Sequence, residues 1–452
     1  MTTKTSTTFD DAMDAITHAL GRNDLPFLAE TLNSLSPSEV VDVLERLGKR
    51  HGGIVYRLLQ KDLALEVFET LQPSLQGDLV HALQDEEVTN LFAELDPDDR
   101  VWLLDELPAK LAPKLLRDLT KQEREMTGAL LGYPQRSIGR RMSPEYVTAR
   151  PGMTVAEALE RVRERADEAE TIYALPVTDD SRLVLGVVSL RQLVIAESER
   201  SVESLMQEAK TALATDDAEQ VARECTELGF LALPIVDSEG RLVGLLTIDD
   251  AVRILEQEET EDALKQGGIE PFGRPYLSTP VRRLFRSRIV WLLVLGIGAT
   301  LTVRVMSQFE DTLAELTMLA VFIPLLIDTG GNAGSQSATT ITRSIALGDV
   351  RGRDALRVVA RELRVGLLLG LGLGLIALSI TGVIFGVNLG IVIGLTLVAI
   401  CTMASTVGGL LPIVASKIKV DPAVFSNPFI TTLVDAIGLI IYFLIASAVL
   451  GI

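Results

Sequence analysis

From about residue 288 onward the chain is a run of five apolar segments, at about 288–308, 313–336, 359–386, 389–416 and 427–450. Each matches or exceeds the ~20 residues a helix needs to cross a bilayer. In lipid every backbone polar group must be satisfied within the fold, so this part predicts a polytopic α-helical domain. Basic residues mark alternate connections. Arg282, Arg283, Arg286 and Arg288 precede the first segment. Arg343, Arg351, Arg353, Arg357, Arg361 and Arg364 lie between the second and third, and Lys417 and Lys419 between the fourth and fifth. The other connections hold Glu310 and Asp311, then only FGVNLG. The positive-inside rule then predicts a multi-pass protein of the cell (inner or plasma) membrane, N-terminus cytoplasmic and C-terminus outside. Arg304, near the outer end of the first segment, would snorkel to the interface.

The rest of the chain is a different material. Residues 1–280 hold 29 Lys+Arg against 52 Asp+Glu, and residues 281–452 hold 13 against 9, within an overall net charge of −19. An acidic soluble part is joined to a membrane part. Such charge opposes nucleic acid and gathers cations. Two distant cysteines and three scattered histidines exclude a disulfide framework and a cysteine zinc cluster. No HExxH motif and no P-loop is present, so the chain reads as a non-enzyme without a pump's machinery.

Residues 1–133 read as an all-α domain. LSPSEVVDVLERL (35–47), LQPSLQGDLVHAL (71–83) and LDPDDRVWLLDEL (95–107) each open on leucine, a polar residue and proline. Ser36, Gln72 and Asp96 stand just before the proline; Ser and Asp suit an N-cap, and proline suits the first turn. Short helices of this kind either stack as a superhelix or form an ordinary bundle. Residues 137–199 and 200–259 are a tandem duplication, with YALPVTDDSRLVLGVVSLRQLV echoed by LALPIVDSEGRLVGLLTIDDAV. Helix, strand, turn, strand and helix follow in each copy. The pair resembles two α/β CBS domains. That resemblance implies that Gly244, Thr247 and Asp250 hold an adenine nucleotide; the first copy has Gly186 and Ser189 but Gln192. The alternative is a dimerisation scaffold without ligand.

An acidic run follows the second copy, Glu256, Glu258, Glu259, Glu261 and Asp262, with Asp249 and Asp250 upstream. Glu258, Glu261 and Asp262 share one helical face, where like charges repel unless cations bind. A solvated face is the plain reading; a cation-sensing face is the sharper one. Residues 260–287 then connect to the membrane domain, 288–452, through helix-breaking glycines and prolines. A basic surface helix is expected at about 277–288.

Within the membrane domain three patterns stand out. Asp435 is a lone acid in ITTLVDAIGLIIYF, where a carboxylate costs ~2.5–3.5 kcal/mol on insertion scales. It either packs against a helix partner or binds an ion. The second segment runs into DTGGNAGSQS, with Asp328, Asn332 and Gln336 among three glycines, expected to be irregular backbone lining a cavity. Gly366, Gly370 and Gly374 recur every four residues, a helix-packing signature. Pro422 and Pro428 should break the approach to the fifth segment and free carbonyls near Asn427, with Thr431 one turn before Asp435. Oxygen-only groups select Mg²⁺, Ca²⁺ or Mn²⁺ over Zn²⁺ or Cu²⁺. One carboxylate is thin for a divalent ion, so a two-fold homodimer bringing two Asp435 side chains together is expected.

The order of domains, with PLLIDTGGNAGSQS and DPAVFSNPFITTLVDAIGLIIYF, resembles the MgtE family of magnesium transporters or channels. The resemblance implies a homodimeric pore that accepts hydrated Mg²⁺ at Asp435. It implies broken second and fifth helices lining that pore through Asn332 and Asn427. It also implies cytosolic Mg²⁺ held between the N-terminal domain, the CBS pair and a connecting "plug" helix, closing the pore; the matching acids are Asp250, Glu258, Glu261 and Asp262. ATP binds the CBS pair in some members. Two departures stand out. Arg253 replaces an acid often found one turn after the residue matching Asp250, which would weaken a sensing site. Asp328 stands where some relatives carry glycine, adding charge at the pore mouth. The alternative cargo is another divalent cation, Mn²⁺, Co²⁺ or Ca²⁺. A CBS-regulated anion channel conflicts with the acids in the path. A membrane hydrolase using Asp328 and Asp435 as a dyad fits the Gly-Gly-Asn stretch less well, and a membrane-anchored nucleotide sensor leaves Asp435 unexplained.

Overall fold

The structure is a computed structural model that describes residues 4–22, 24–47, 49–83, 85–108, 110–418, 420–422 and 427–451. Contacts divide the chain into two units: Met1–Glu259 with Gly273–Thr279, and Thr260–Phe272 with Pro280–Ile452.

The first unit opens on ten helices: α1 (Lys4–Arg22), α2 (Leu25–Leu32), α3 (Pro37–Arg46), α4 (Lys49–Arg57), α5 (Lys61–Thr70), α6 (Pro73–Ala82), α7 (Asp85–Glu94), α8 (Pro97–Glu106), α9 (Ala112–Asp118) and α10 (Lys121–Leu131). Proline stands at the first turn of α3, α6 and α8, as the repeats predict. Ser36 completes a capping box with Glu39. Gln72 and Asp96 occupy cap positions but make no side-chain cap bond. Each short helix buries one stripe, and the stripes merge into a core from Ile16 to Leu119.

Helix α8 serves two cores. Leu103, Leu104 and Leu107 face the other N-terminal helices. Val101 and Trp102 join Ile138, Met142, Leu233 and Leu246 of the following module.

The duplication is visible residue by residue. Helix α11 (Val155–Arg165), strands β1 (Ala174–Thr178) and β2 (Val184–Ser189) and helix α12 (Leu190–Ile195) make the first copy. The second holds β3 (Ala212–Leu213), α13 (Ala218–Leu228), β4 (Ala232–Val236), β5 (Leu242–Thr247) and α14 (Ile248–Gln266). β1 and β2 pair antiparallel with Ala174 opposite Ser189 and Val177 opposite Gly186; β4 and β5 repeat this with Ala232 opposite Thr247 and Ile235 opposite Gly244. The register slips at the same step in both copies. β3 adds parallel to β4. A side chain at Gly186 would lie 2.6 Å from the Gln207 carbonyl, and one at Gly244 2.6 Å from Met142 Sδ. Close packing alone therefore requires both glycines.

The acidic run continues α14 without a break. Residues 260–287 are not one connecting helix: α14 stops at Gln266, and Gly267, Gly268, Pro271, Gly273, Pro275 and Pro280 keep the next stretch irregular. The basic residues expected on a surface helix form the first two turns of α15 (Val281–Gln308), the first span.

The second unit holds α15, the short α16 (Glu310–Glu315), α17 (Met318–Ala346), α18 (Ala355–Phe385), α19 (Val387–Lys417) and α20 (Asn427–Leu450). Among the described residues five helices are long and apolar enough to cross a membrane. Two expectations are corrected. The second span is α17 rather than 313–336, and it is unbroken through Gly330, Gly331 and Gly334. Those glycines serve packing. A side chain at Gly330 would collide with Ile400, and side chains at Gly331 and Gly334 would crowd Thr431 and Ile430. Gly366, Gly370 and Gly374 do the same for α18, against Cys401, Val398 and Gly394 of α19. Lys419 lies outside the described residues.

Candidate functional site

Two clusters carry the chemistry: one in the membrane unit, one where the N-terminal helices meet the CBS-like module.

In the membrane unit α17 has two faces. Gly330, Gly331, Ala333, Gly334, Ser337 and Ala338 are buried, while Asp328, Asn332, Gln336, Thr339 and Thr340 form an exposed polar stripe. The spacing is helical, at i, i+4, i+8 and i+11. Such a stripe is tolerated at membrane depth where it meets water or protein. The contacts fix the register of α17 against α20. Gly330 meets Val434, and Gly334, one turn on, meets Ile430, so the helices run antiparallel. That register sets Asp435 level with Asp328 and Thr329.

Asp435 is half-buried. Thr431 packs on Gly331 of α17 and Thr432 on Gly298 of α15, each 3.0 Å from where a β-carbon would stand. Asp435 follows these two threonines by one turn, on the strip between α15 and α17. Both threonine hydroxyls donate to the Pro428 carbonyl, at 2.9 Å and 2.8 Å. Among the described residues no hydrogen bond or ion pair reaches the Asp435 carboxylate. At the other end of this strip Thr339 donates to Asn427 Oδ1 at 3.2 Å, and Ser335 donates to the Asn427 carbonyl at 3.5 Å. Asn427 is thus tied to α17 one to two turns beyond Asn332.

Glu362 of α18 was not singled out in the sequence, where it stands between Arg361 and Arg364 at the start of the third segment. It is half-buried; Ser337 bonds to it at 2.8 Å and lies equally close to the Ser405 carbonyl. An ionisable group inside a bundle marks a constrained point. Here it fixes the face of α17 opposite the polar stripe.

The second cluster is an acidic seam. Asp96, Asp98 and Asp99 open α8; Asp250 and Arg253 lie in the first turns of α14; Glu145 and Glu170 come from the first copy. Asp98 is 3% exposed, and its Oδ1 has no partner. Burial, then the charge of Asp250, pushes its carboxyl well above the usual range. Burial raises Asp99 to about 6 against the pull of Arg253. Burial raises Glu170 to about 8, with Asp250 adding to it, and Glu69 to about 7, with Asp96 adding. Arg253 lies 3.1 Å from Asp99 and 3.7 Å from Asp250. Asp250 also accepts from the Thr247 hydroxyl at 2.9 Å. The first copy places Ser189 and Gln192 in the same relation as a capping box. The seam's signal was in the third repeat, LDPDDR, with acids where the first repeat has Ser-Glu and the second Ser-Leu.

The remaining acids sit apart. Asp249 is exposed. Glu258 reaches Arg136 at 3.5 Å, and Glu261 reaches Lys265 at 3.6 Å. Lys265 also bonds to Asp421, ahead of α20, at 2.9 Å. Asp262 is half-buried on the same stretch. Among the described residues no three acidic, histidine or cysteine side chains converge on one point as a metal cage. The donor set instead fits an ion that keeps its waters and takes one or two carboxylates, as Mg²⁺ does.

The model of the divalent cation transporter family matches residues 323–445, that of the MgtE intracellular N domain residues 35–136, and that of the CBS domain residues 136–199 and 202–257. Five helices long and apolar enough to cross a membrane, with an acid-bearing polar face and preceded by a CBS pair, define the class of divalent cation transporters. The chain is 37% identical over 446 residues to the magnesium transporter MgtE of Thermus thermophilus, covering 96% of this chain and 98% of the relative. It is 29% identical over 447 residues to the magnesium transporter MgtE of Bacillus subtilis, covering 98% of each. A solved cytosolic domain of the Mg²⁺ channel MgtE in complex with ATP covers 54% of this chain and 100% of its own length, at 34% identity and a TM-score of 0.50. The chain belongs to the MgtE family of magnesium transporters, as a multi-pass membrane protein.

Proposed function

We propose that this chain imports hydrated Mg²⁺ down its electrochemical gradient, as a homodimer with the path along its two-fold axis. The observation that carries the reading is the coincidence of Asp435 and Asp328 at one level of a bundle that is otherwise apolar and glycine-packed. Two copies would bring four carboxylates to that level. Asn332, Asn427 and Thr431 supply neutral oxygens along the same strip. A divalent ion moving inward gains ~4.6 kcal/mol per 100 mV, twice the single-charge value. The N-terminus is cytoplasmic and the C-terminus outside in this reading.

Cytosolic Mg²⁺ closes the path. The seam supports this: buried acids that repel one another are neutralised by cations, and α14 leads from Asp250 to Glu258, Glu261, Asp262 and Lys265. When Mg²⁺ falls, the seam loses its counterions and the modules part. Asp249 and Asp250 contribute to the regulatory charge. The division of labour is an N-terminal domain at 1–133, CBS domains at 137–199 and 200–259, a connector at 260–287 and a pore at 288–452. Gly244, Thr247 and Asp250 are the candidate nucleotide contacts, in keeping with the ATP complex of the related cytosolic domain.

The test is ion uptake into liposomes bearing the full-length protein, with Mg²⁺, Mn²⁺, Co²⁺ and Ca²⁺ offered in competition. Preference for Mg²⁺ supports the reading. Preference for another divalent ion would establish the alternative cargo, and uptake of no divalent ion would overturn both.

A further inference from the structure

A deeply enclosed ion pair joins two distant parts of the first unit. Arg274 Nη1 and Nη2 bond to Asp78 Oδ2 and Oδ1 at 2.6 Å and 2.7 Å, and Nη2 also donates to the Ser74 carbonyl at 2.9 Å. The two side chains are 8% and 9% exposed. Asp78 belongs to α6. Arg274 belongs to the irregular stretch between α14 and α15. Ser278 of the same stretch lines a narrow cleft with Leu44, Leu47, Leu75 and Leu79.

Such a pair is poorly explained by stability. Desolvating an arginine and an aspartate costs about what their attraction returns. Arg274 Nε moreover stays unpartnered. What a bidentate fork supplies is position, since two parallel bonds fix both distance and orientation. The position held is that of residues 273–279. Ser278 and Thr279 both bond back to the Pro275 carbonyl, at 3.0 Å and 2.8 Å, stiffening the turn. The first span begins at Val281, seven residues after Arg274, within about 25 Å of extended chain.

We infer that Asp78 and Arg274 form a clamp by which the N-terminal helices hold the chain directly ahead of the first membrane span. This gives the N-terminal domain a route to the membrane that does not pass through the CBS pair or α14. Movement of α6 moves residues 273–279, which lead in sequence into α15. The inference rests on the proposed closure by cytosolic Mg²⁺ and adds a second mechanical path to it.

The test uses full-length protein in liposomes and the paired variant Asp78→Asn with Arg274→Gln, which removes both charges and strands neither. Three quantities are read: cleavage by protease within 267–280, Mg²⁺ protection of the N-terminal domain, and the Mg²⁺ concentration that halves flux. Faster linker cleavage, wild-type N-domain protection and an at least five-fold rise in the half-inhibiting Mg²⁺ are expected. Arg274→Lys, keeping the charge without the fork, should fall between. An unchanged half-inhibiting concentration overturns the clamp. So does an equal shift in protection and inhibition, which would make the pair a prop for the N-terminal domain alone. If wild-type flux ignores Mg²⁺, the closure reading fails. Linker cleavage then judges the clamp by itself, and equal cleavage in both proteins refutes it.

Discussion

Arg253 offers the sharpest test of the seam. Its guanidinium lies 3.1 Å from Asp99 and 3.7 Å from Asp250; the arginine side chain is 43% exposed, the acids 14% and 9%. Arg253→Gln leaves two buried carboxylates facing Asp96, Asp98 and Glu170 without that counter-charge. A hydrogen bond to a charged group contributes about 1.5–3 kcal/mol. Exposure of the arginine trims this to roughly 1–2 kcal/mol. If one Mg²⁺ restores closure, the half-inhibiting concentration rises roughly 5- to 30-fold; if two ions share the task, the rise is the square root of that. The assay is Mg²⁺ flux with the cytosolic face exposed to graded Mg²⁺. An unchanged value would remove Arg253 from the seam's balance. A lowered value would make it a competitor for the ions and refute the reasoning outright.

The seam should also respond to protons. Asp99, Glu69 and Glu170 are raised to about 6, 7 and 8, so the folded state holds more protons than the unfolded one between pH 5 and 8, and its stability falls as pH rises. Carboxyls held low, such as Glu39 and Asp179, act in the opposite sense only at lower pH. Thermal unfolding of the metal-free protein should therefore come at a higher temperature at pH 6 than at pH 8, and the reverse order would contradict the burial of these acids. In the membrane unit, a side chain at Gly408 would collide with the Gly334 carbonyl of α17. Backbone yields less than a side-chain tip, so Gly408→Val should cost about 1–3 kcal/mol and lower both the unfolding temperature in detergent and the flux.

Much of the fold was legible in the chain because it follows from periodicity and length. The five spans and the duplicated module were readable, the latter down to the matching Gly186 and Gly244. What escaped depends on tertiary contact. The second span was ended too early because the run SQSATT at 335–340 lowers its apolarity, and it was expected to be irregular because nothing local reveals that α19 and α20 fill the space its glycines leave. Of the acids of LDPDDR only Asp96 was singled out, as a helix cap; that Asp98 and Asp99 are buried beside Asp250 and Arg253 depends on a tertiary contact that no local pattern reveals. Arg253 looked like the loss of a ligand, whereas in space it is a cation already placed between two acids. Asp435 stood out because a lone carboxylate in an apolar run has few structural excuses. That it shares a level with Asp328 required the register of α17 on α20.

The central claim is that the Asp435 carboxylate meets the ion on its path. The direct measurement is Mg²⁺ flux through liposomes bearing wild type and Asp435→Asn, which keeps the side chain's shape and removes its charge. The account predicts that flux falls to the level of empty liposomes while the variant retains its wild-type size and unfolding temperature in detergent. Flux undiminished in Asp435→Asn would contradict it.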